Sequence, residues 1–400
     1  MIKNILKSLA LLSVILVLQS YNNNDSKPIK SIKKIVKASA EQYTFMNNSI
    51  YSKLNTKRMM PRTIKKNGET GLTGIYDWTS GFYPGSLWYL HLLTNDAKWE
   101  KLATEYTERL DSVQYWTENH DIGFMMECSY GNALKKAPSK AYDDVIVQTA
   151  KSLATRFHPK AGIIQSWNAS KKWGCPVIVD NMMNLELLFH ATKISGDSTY
   201  YTIAVSHANA TMKNHFRPDY SSYHVLNYNP ETGEVLGKYT HQGYADDSSW
   251  ARGQAWGLYG FTLCYRETKD PKYLEQALHI ADYIKNHPNL PKDNIPYWDY
   301  NAPLNNDTPR DASAAAITAS ALYELATFLD KKESKLYKNF ANSIINSLSS
   351  PAYFAEPTTN NGFLLKHSVG SLPHNSEIDV PLNYADYYFL EALYRQKTLK

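Results

Sequence analysis

DNMMNLELLFHATKISGDSTYYTIAVSHANATMKNH, residues 180–215, holds two helical periods separated by a turn. Met183, Leu187, Leu188, Ala191 and Ile194 stand three and four positions apart, so a helix over 180–194 turns one apolar face inward. Ser195 and Gly196 end it, and Asp197 is set to cap the free amides of a second helix over 200–215. The two form an αα-hairpin.

The same arrangement recurs on either side. A helix over 250–267 closes at Lys269-Asp270, and Pro271, suited to a first helical turn, opens another through residue 284. A helix over 311–328 closes at Asp330-Lys331 and is followed by one over 336–348. Upstream, 85–93 turns at Asn95-Asp96 into 99–113. The second helix of each pair begins with a polar turn and then an aromatic: Asp96 and Trp99, Asp197 and Tyr200, Asp270 and Tyr273, more loosely Glu333 and Tyr337. Self-similarity at a spacing of about 60 to 75 residues predicts stacked helical hairpins. With helices over 32–46, 124–134, 142–157 and 381–395 the count reaches about twelve. Six pairs predict an all-α, (α/α)6 barrel in which the first helix meets the last; an open solenoid is the competing arrangement. No linker or composition shift interrupts the chain, so 32–400 reads as a single domain.

The whole composition fits this. Of 400 residues 43% are hydrophobic and 20% charged, which excludes disorder, and 18 Gly with 18 Pro exclude a collagen-like chain. Thirty Tyr, 12 Phe and 9 Trp suit a sugar-binding cleft as well as an aromatic core. The net charge of +5 is spread without a polybasic block, so no nucleic-acid partner is expected, although a polyanion is compatible. Lys3, Lys7 and the apolar run over 8–18, shorter than the roughly 20 residues a membrane span requires, read as a signal peptide over 1–21. An uncleaved anchor is the alternative. A short polar segment over 22–31 follows. Ser20-Tyr21 stand where a lipoprotein would carry Cys, so the mature chain is expected to be exported and periplasmic, or secreted, with no stable membrane insertion after cleavage. Cys128, Cys175 and Cys264 lack any metal-binding spacing and read as buried thiols, one pair being the minor option.

The long connections over 163–179, 216–249 and 290–310 are rich in Trp, His, Tyr and Asn, and in a helical toroid they would gather at one mouth. Three clusters at helix starts stand out: Asn119 to Phe124, Val179 to Asn184, and Asp246 to Gly257. An Asp there is ordinarily a helix cap. Asp180 fits that less well, being flanked by Val177-Ile178-Val179 and Met182-Met183, and a carboxyl in apolar surroundings has its pKa raised into the range of a general acid. His120, His224 and His241 occur without HExxH or an i,i+4 pair, so no metal is expected. No GxSxG, GxGxxG or P-loop is present. Trp78, Trp167 and Trp256 lie beside small or polar residues and read either as core or as exposed platforms for sugar rings.

At these residues the chain resembles a known family. DWTSGFYPGSLW at 77–88, HDIGF at 120–124, DNMMNLELL at 180–188, DDSSWARGQAWGLYGF at 246–261, RDASAAAITASALYEL at 310–325 and PLNYADYY at 381–388 resemble the unsaturated glucuronyl hydrolases of glycoside hydrolase family 88. The likeness implies an (α/α)6 barrel, an unsaturated oligosaccharide substrate produced by a polysaccharide lyase, and no cofactor. It implies Asp180 as general acid/base and Asp121, after His120, as the second carboxylate. It places His224, Gln242, Arg252 and Trp256 around the unsaturated sugar, with Trp78, Phe82 and Trp167 as aromatics beside it. Arg252 and Gln242 are then expected to meet the uronate carboxylate, the guanidinium as a bidentate fork. Ser368 and Ser371 are candidate aglycone or sulfate contacts, without the Lys that sulfate-preferring relatives carry shortly after. Chondroitin, heparan, hyaluronan and ulvan fragments are all compatible. The related unsaturated rhamnogalacturonyl hydrolases share barrel and chemistry, and a non-catalytic glycan-binding barrel would require the loss of a carboxylate that this chain retains.

Overall fold

The structure, a computed structural model, describes residues 32–399. The leader over 1–21 and the polar segment over 22–31 lie outside the described residues. Twelve helical segments follow one another: α1 (Ile32–Ile50), α2 (Phe82–Thr94), α3 (Ala97–Glu108), α4 (122–136), α5 (Lys140–Ala154), α6 (Leu185–Ser195), α7 (Ser198–Asn214), α8 (Ala251–Thr268), α9 (Pro271–Asn286), α10 (Ala312–Leu325), α11 (Lys331–Leu348) and α12 (Asn383–Thr398).

The even-numbered helices form an inner ring. The Ala-rich α10 buries every residue, and α8 does so from Ala251 to Cys264, because each packs on ring neighbours at both sides and on its own hairpin partner behind. The odd-numbered helices lie outside and bury a single stripe. On α11 it is Tyr337, Phe340, Ala341, Ile344, Ile345 and Leu348, the three-and-four spacing of a helix with one wet face. Contacts of α12 with both α10 and α2 close the ring, which excludes the open solenoid. The first helix meets the last where the Tyr43 hydroxyl approaches Asp386 at 3.5 Å.

The turn chemistry is as the sequence predicts. Asn95, Gly196 and Lys269 adopt left-handed backbone at the ends of α2, α6 and α8. The next residue in each case, Asp96, Asp197 or Asp270, accepts a backbone amide hydrogen bond at the start of the outer helix. Asp330 does the same for α11. Trp99, Tyr200, Tyr273 and Tyr337 are all buried. The three cysteines are free, buried thiols. Among the described residues no helix is long and apolar enough to cross a membrane.

Three expectations are corrected. Residues 180–194 are not one helix: Val179–Asn184 is a 3-10 turn and α6 begins only at Leu185. The segment α4 consists of Ile122–Met126, a π turn Glu127–Gly131 and Asn132–Lys136; the Ser129 hydroxyl and the Asn132 amide donate to carbonyls of the preceding turn, satisfying acceptors in the wider π geometry. Small antiparallel sheets lie between the helices: β1 (Met60–Ile64) pairs with β2 (Thr70–Thr73), β3 (Phe157–His158) with β4 (Ile163–Ile164), β8 (Ser368–Ser371) with β9 (Ser376–Val380), and β6 (Val225–Tyr228) stands between β5 (Pro176–Ile178) and β7 (Val235–Tyr239).

Candidate active site

Because helices alternate direction, the amino ends of the inner helices all face one mouth, and their combined dipoles make it favourable to an anion. Asp121 immediately precedes α4, Asp180 lies in the turn before α6, Arg252 and Trp256 lie in the first turns of α8, Asp311 caps α10 and Trp78 stands before α2.

Neither Asp121 nor Asp180 caps its helix, in contrast to the four Asp residues of the outer turns. Both are turned into the mouth. The β5–β6 pairing sets the position of Asp180, since the amide of Val179 donates to the carbonyl of His224 at 3.1 Å and continues the ladder to the residue beside the carboxylate. Asp180 is 8% exposed, and its Oδ2 has no hydrogen-bond partner. Burial raises its pKa to about 7, with the positive charge of Arg252 and the indole N–H of Trp256 pulling the other way. Such an acid can both give and take a proton near neutrality. Asp121 is also held well above the ordinary carboxylate range, by burial and by the adjoining charges of Asp180 and Asp77.

Each carboxylate is faced by a histidine. His224 Nδ1 accepts the amides of His241 and Gln242 at 3.2 and 3.1 Å, so the neutral ring carries its proton on Nε2, which lies 3.6 Å from Asp180 Oδ2. Burial and the neighbouring His241 and Arg252 hold His224 well below its usual value, and neutral. His120 repeats the pattern: Nδ1 faces the Asn184 amide at 3.4 Å, Nε2 lies 3.2 Å from Asp121 Oδ1, and burial lowers its pKa to about 3. Asn184 also accepts the amide of Phe124 at 2.8 Å, tying the turn that carries Asp180 to the helix start that carries Asp121.

Trp250 lies between His224, at 4.4 Å between ring centroids, and the Arg252 guanidinium, at 4.4 Å from its ring. Arg252 is 1% exposed and does not offer the expected bidentate fork. Nη1 donates to Asp311 Oδ2 at 3.0 Å and to the carbonyl of Val369, and Nη2 to the carbonyl of Gly370 at 2.6 Å. Only Nε lacks a partner. Gln242 likewise donates its side-chain amide to Gly370 at 3.0 Å. The charge of Arg252 faces the site while both of its terminal nitrogens hold β8.

Three further expectations change. Phe82 and Trp256 are fully buried, so neither is a platform for a sugar. Phe82 packs among Trp78, Phe124, Tyr384, Tyr387 and Tyr388, and Trp256 between Phe124 and Tyr388, its Nε1 unpartnered. Trp78 and Trp167 keep partial exposure. Ser368 is wholly buried at the start of β8 and cannot reach a sulfate at the rim, whereas Ser371 is partly exposed and bonded to His374 at 2.7 Å. His374 meets His241 at 4.4 Å, and His241 meets Trp167 at 5.7 Å, so Ser371, His374, His241 and Trp167 form one wall of the mouth.

Sequence reasoning assigned no role to Asn184, Asp311, Asp77 or Arg62. Arg62 donates to Asp77 at 2.6 Å and bidentately to Glu377 on β9 at 2.7 and 2.8 Å. A signal for the β6–β7 pair was present: two short apolar runs, Val225-Leu226 and Val235-Leu236, flank the turn-forming Asn229-Pro230-Glu231-Thr232-Gly233, a hairpin pattern.

Known proteins share the sequence and the fold of this chain. The sequence model of Glycosyl Hydrolase Family 88 matches residues 51–266. An unsaturated glucuronyl hydrolase of Formosa agariphila is 46% identical over 400 residues, covering 98% of this chain and 99% of that one. An unsaturated chondroitin disaccharide hydrolase of Streptococcus pneumoniae is 35% identical over 80% of this chain and 81% of its own. Among solved structures, an unsaturated glucuronyl hydrolase specific for heparin superimposes with a TM-score of 0.87 at 47% identity, covering 91% of this chain and 96% of that one. The unsaturated glucuronyl hydrolase of Bacillus sp. GL1 does so with a TM-score of 0.82 at 29% identity, covering 90% and 96%.

Proposed function

The chain belongs to glycosyl hydrolase family 88, and on that premise we propose that it removes the terminal 4,5-unsaturated glucuronic acid from oligosaccharides released by glycosaminoglycan lyases, heparin-type fragments foremost. The observation that carries this reading is a buried carboxyl oxygen of Asp180 and a buried imidazole nitrogen of His224, 3.6 Å apart, neither with a partner, beneath the charge of Arg252. Heparin-type fragments come first because the heparin-specific relative shares more of the sequence than the chondroitin disaccharide hydrolase does.

The substrate is a vinyl ether. Protonated Asp180 gives its proton to C4, and the positive charge that forms at C5 is shared with the ring oxygen. The Asp180 carboxylate then takes a proton from water as the water oxygen bonds to C5. The resulting hemiketal opens by breaking the bond between C5 and the ring oxygen, and C1 expels the aglycone as an alcohol. One water is consumed and Asp180 ends protonated as it began. Asp121, beside His120 Nε2, meets the sugar hydroxyls. His224 donates through Nε2, and Arg252 supplies charge and Nε–H to the uronate. No attack at the anomeric carbon occurs, so the spacing of the two carboxylates says nothing of retention or inversion. Export by the leader would put the reaction in the periplasm, where lyase products are met.

The test is the ultraviolet absorbance of the conjugated double bond, followed with unsaturated disaccharides from heparin, chondroitin, hyaluronan and ulvan lyase digests. Loss is expected to be fastest with a heparin-type disaccharide, and Asp180→Asn is expected to slow it roughly 10²–10⁴-fold with folding intact. No loss with any uronide sinks the assignment. Loss confined to pectin-derived unsaturated galacturonides would move the chain to the neighbouring rhamnogalacturonyl group.

A further inference from the structure

The β8–β9 hairpin is held by two arginines, and each of these also pairs with an aspartate at the edge of the site. Arg62 grips Glu377 of β9 and pairs with Asp77; Arg252 grips the carbonyls of Val369 and Gly370 on β8 and pairs with Asp311. Of the three carboxylates that these arginines meet, Asp311 is the most enclosed, with no exposure at all. Its Oδ1 accepts the amides of Ser313 and Ala314 and the Ser313 hydroxyl at 2.5 Å, which fixes the carboxylate on the amino end of α10, while Oδ2 takes Arg252 at 3.0 Å. One carboxylate therefore joins α10, α8 and the hairpin.

We infer that Asp311 is a positioning residue for the reaction: it anchors Arg252 so that the guanidinium faces Asp180 with most of its charge balanced and its terminal nitrogens committed to β8. This rests on Asp180 being the acid. An unbalanced Arg252 would draw the Asp180 proton off. With its charge set against Asp311, the guanidinium can stand beside an acid that stays protonated near neutrality. The charged and titratable groups facing Asp180 are few. Arg252 comes from α8, His224 from the start of β6 and Asp121 from the start of α4, while the buried Tyr384 of α12 lies across the Arg252 face at 5.3 Å. His224 is held neutral, so Arg252, with Asp311 behind it, supplies the positive charge that Asp180 meets.

The sign follows. Asp311→Asn removes a negative charge behind Arg252, and the basic limb of the kcat profile, where Asp180 ionises, is expected to move down by about one pH unit. Rates at pH 8 should then fall about tenfold while those at pH 5 change little. Ser313→Ala removes a support of the cap and leaves the charge, so it should lower thermal stability with the limb unmoved. A purely structural role for Asp311 would lower activity equally at all pH values, and a limb that stays in place or rises in folded Asp311→Asn overturns the inference. Should that variant fail to fold, Arg252→Gln reads the same balance with opposite sign. With Asp311 retained and the cation gone, the limb must rise, and a limb that falls or stays overturns the inference equally. In every variant the Asp180 carboxyl carbon is titrated by NMR alongside turnover, so a slow enzyme still gives a reading. Asp180→Asn is measured in parallel. If it keeps its activity, the acid assignment itself falls; if it is inactive while the limb of Asp311→Asn is unmoved, only the role of Asp311 falls.

Discussion

Asp180 is balanced between burial, which favours its proton, and the positive charge of Arg252 with the indole N–H of Trp256, which favour its charge. A carboxyl whose folded value is raised adds stability while protonated; that contribution is complete below the unfolded value of about 4 and is lost as the pH rises through about 7. Asp180→Asn is therefore expected to be roughly 2–4 kcal/mol more stable than the parent at pH 8 and nearly equal to it near pH 4, read from denaturant unfolding at the two values. The parent's kcat should decline above pH 7 as the acid is lost. Asp180 was legible in the sequence because the valines and methionines around it are local. Phe82 and Trp256 were not, because the rings that bury them come from α4 and α12, far away in the chain. The spent fork of Arg252 was hidden for the same reason, its partners Asp311, Val369 and Gly370 lying 59 to 118 residues along.

The turn Val179–Asn184 is wedged between two helices, each of which offers a glycine. A Cβ on Gly123 of α4 would lie 2.5 Å from the Asn184 side chain and 2.6 Å from its Cα, and one on Gly260 of α8 would lie 2.4 Å from Met182 Cβ. This pressure from both sides explains why 180–184 departs from the α6 helix that its apolar spacing predicts, since the spacing reports a buried face and not the room available around it. Gly123→Ala is expected to push Asp121 away from Asp180, costing about 1–3 kcal/mol and lowering kcat/KM, both measurable on purified enzyme. Helix order, pairing and caps were legible because they repeat and because an Asp after a left-handed residue acts within one turn. The short strands are not legible because two to five residues leave little period to detect, and a partner can lie as far away as Asn227 from Pro176.

At the scale of the whole ring, the far end of the barrel is filled by a polar network. Glu391 of α12 accepts the hydroxyls of Tyr89 at 2.7 Å, Tyr259 at 3.1 Å and Ser320 at 2.6 Å, so that one carboxylate is shared by α2, α8, α10 and its own helix. Arg395 adds bonds to Tyr259 and to the Ser320 carbonyl, and Glu324 receives both Arg395 and Arg266, the latter also reaching Glu186 of α6. Glu391→Ala leaves three hydroxyls without their shared acceptor and takes from Arg395 a carboxylate 3.7 Å away, and it is expected to cost about 3–5 kcal/mol in denaturant unfolding, with the pH limb of kcat unmoved. None of this closure can be seen in local sequence, since each bond spans the ring. The filled end also governs traffic. A saccharide that reaches Asp180 has no second exit to slide towards, so it must enter tip first and withdraw by the way it came. On the proposed reaction each visit is also final, because the shortened chain leaves without the double bond that made it a substrate.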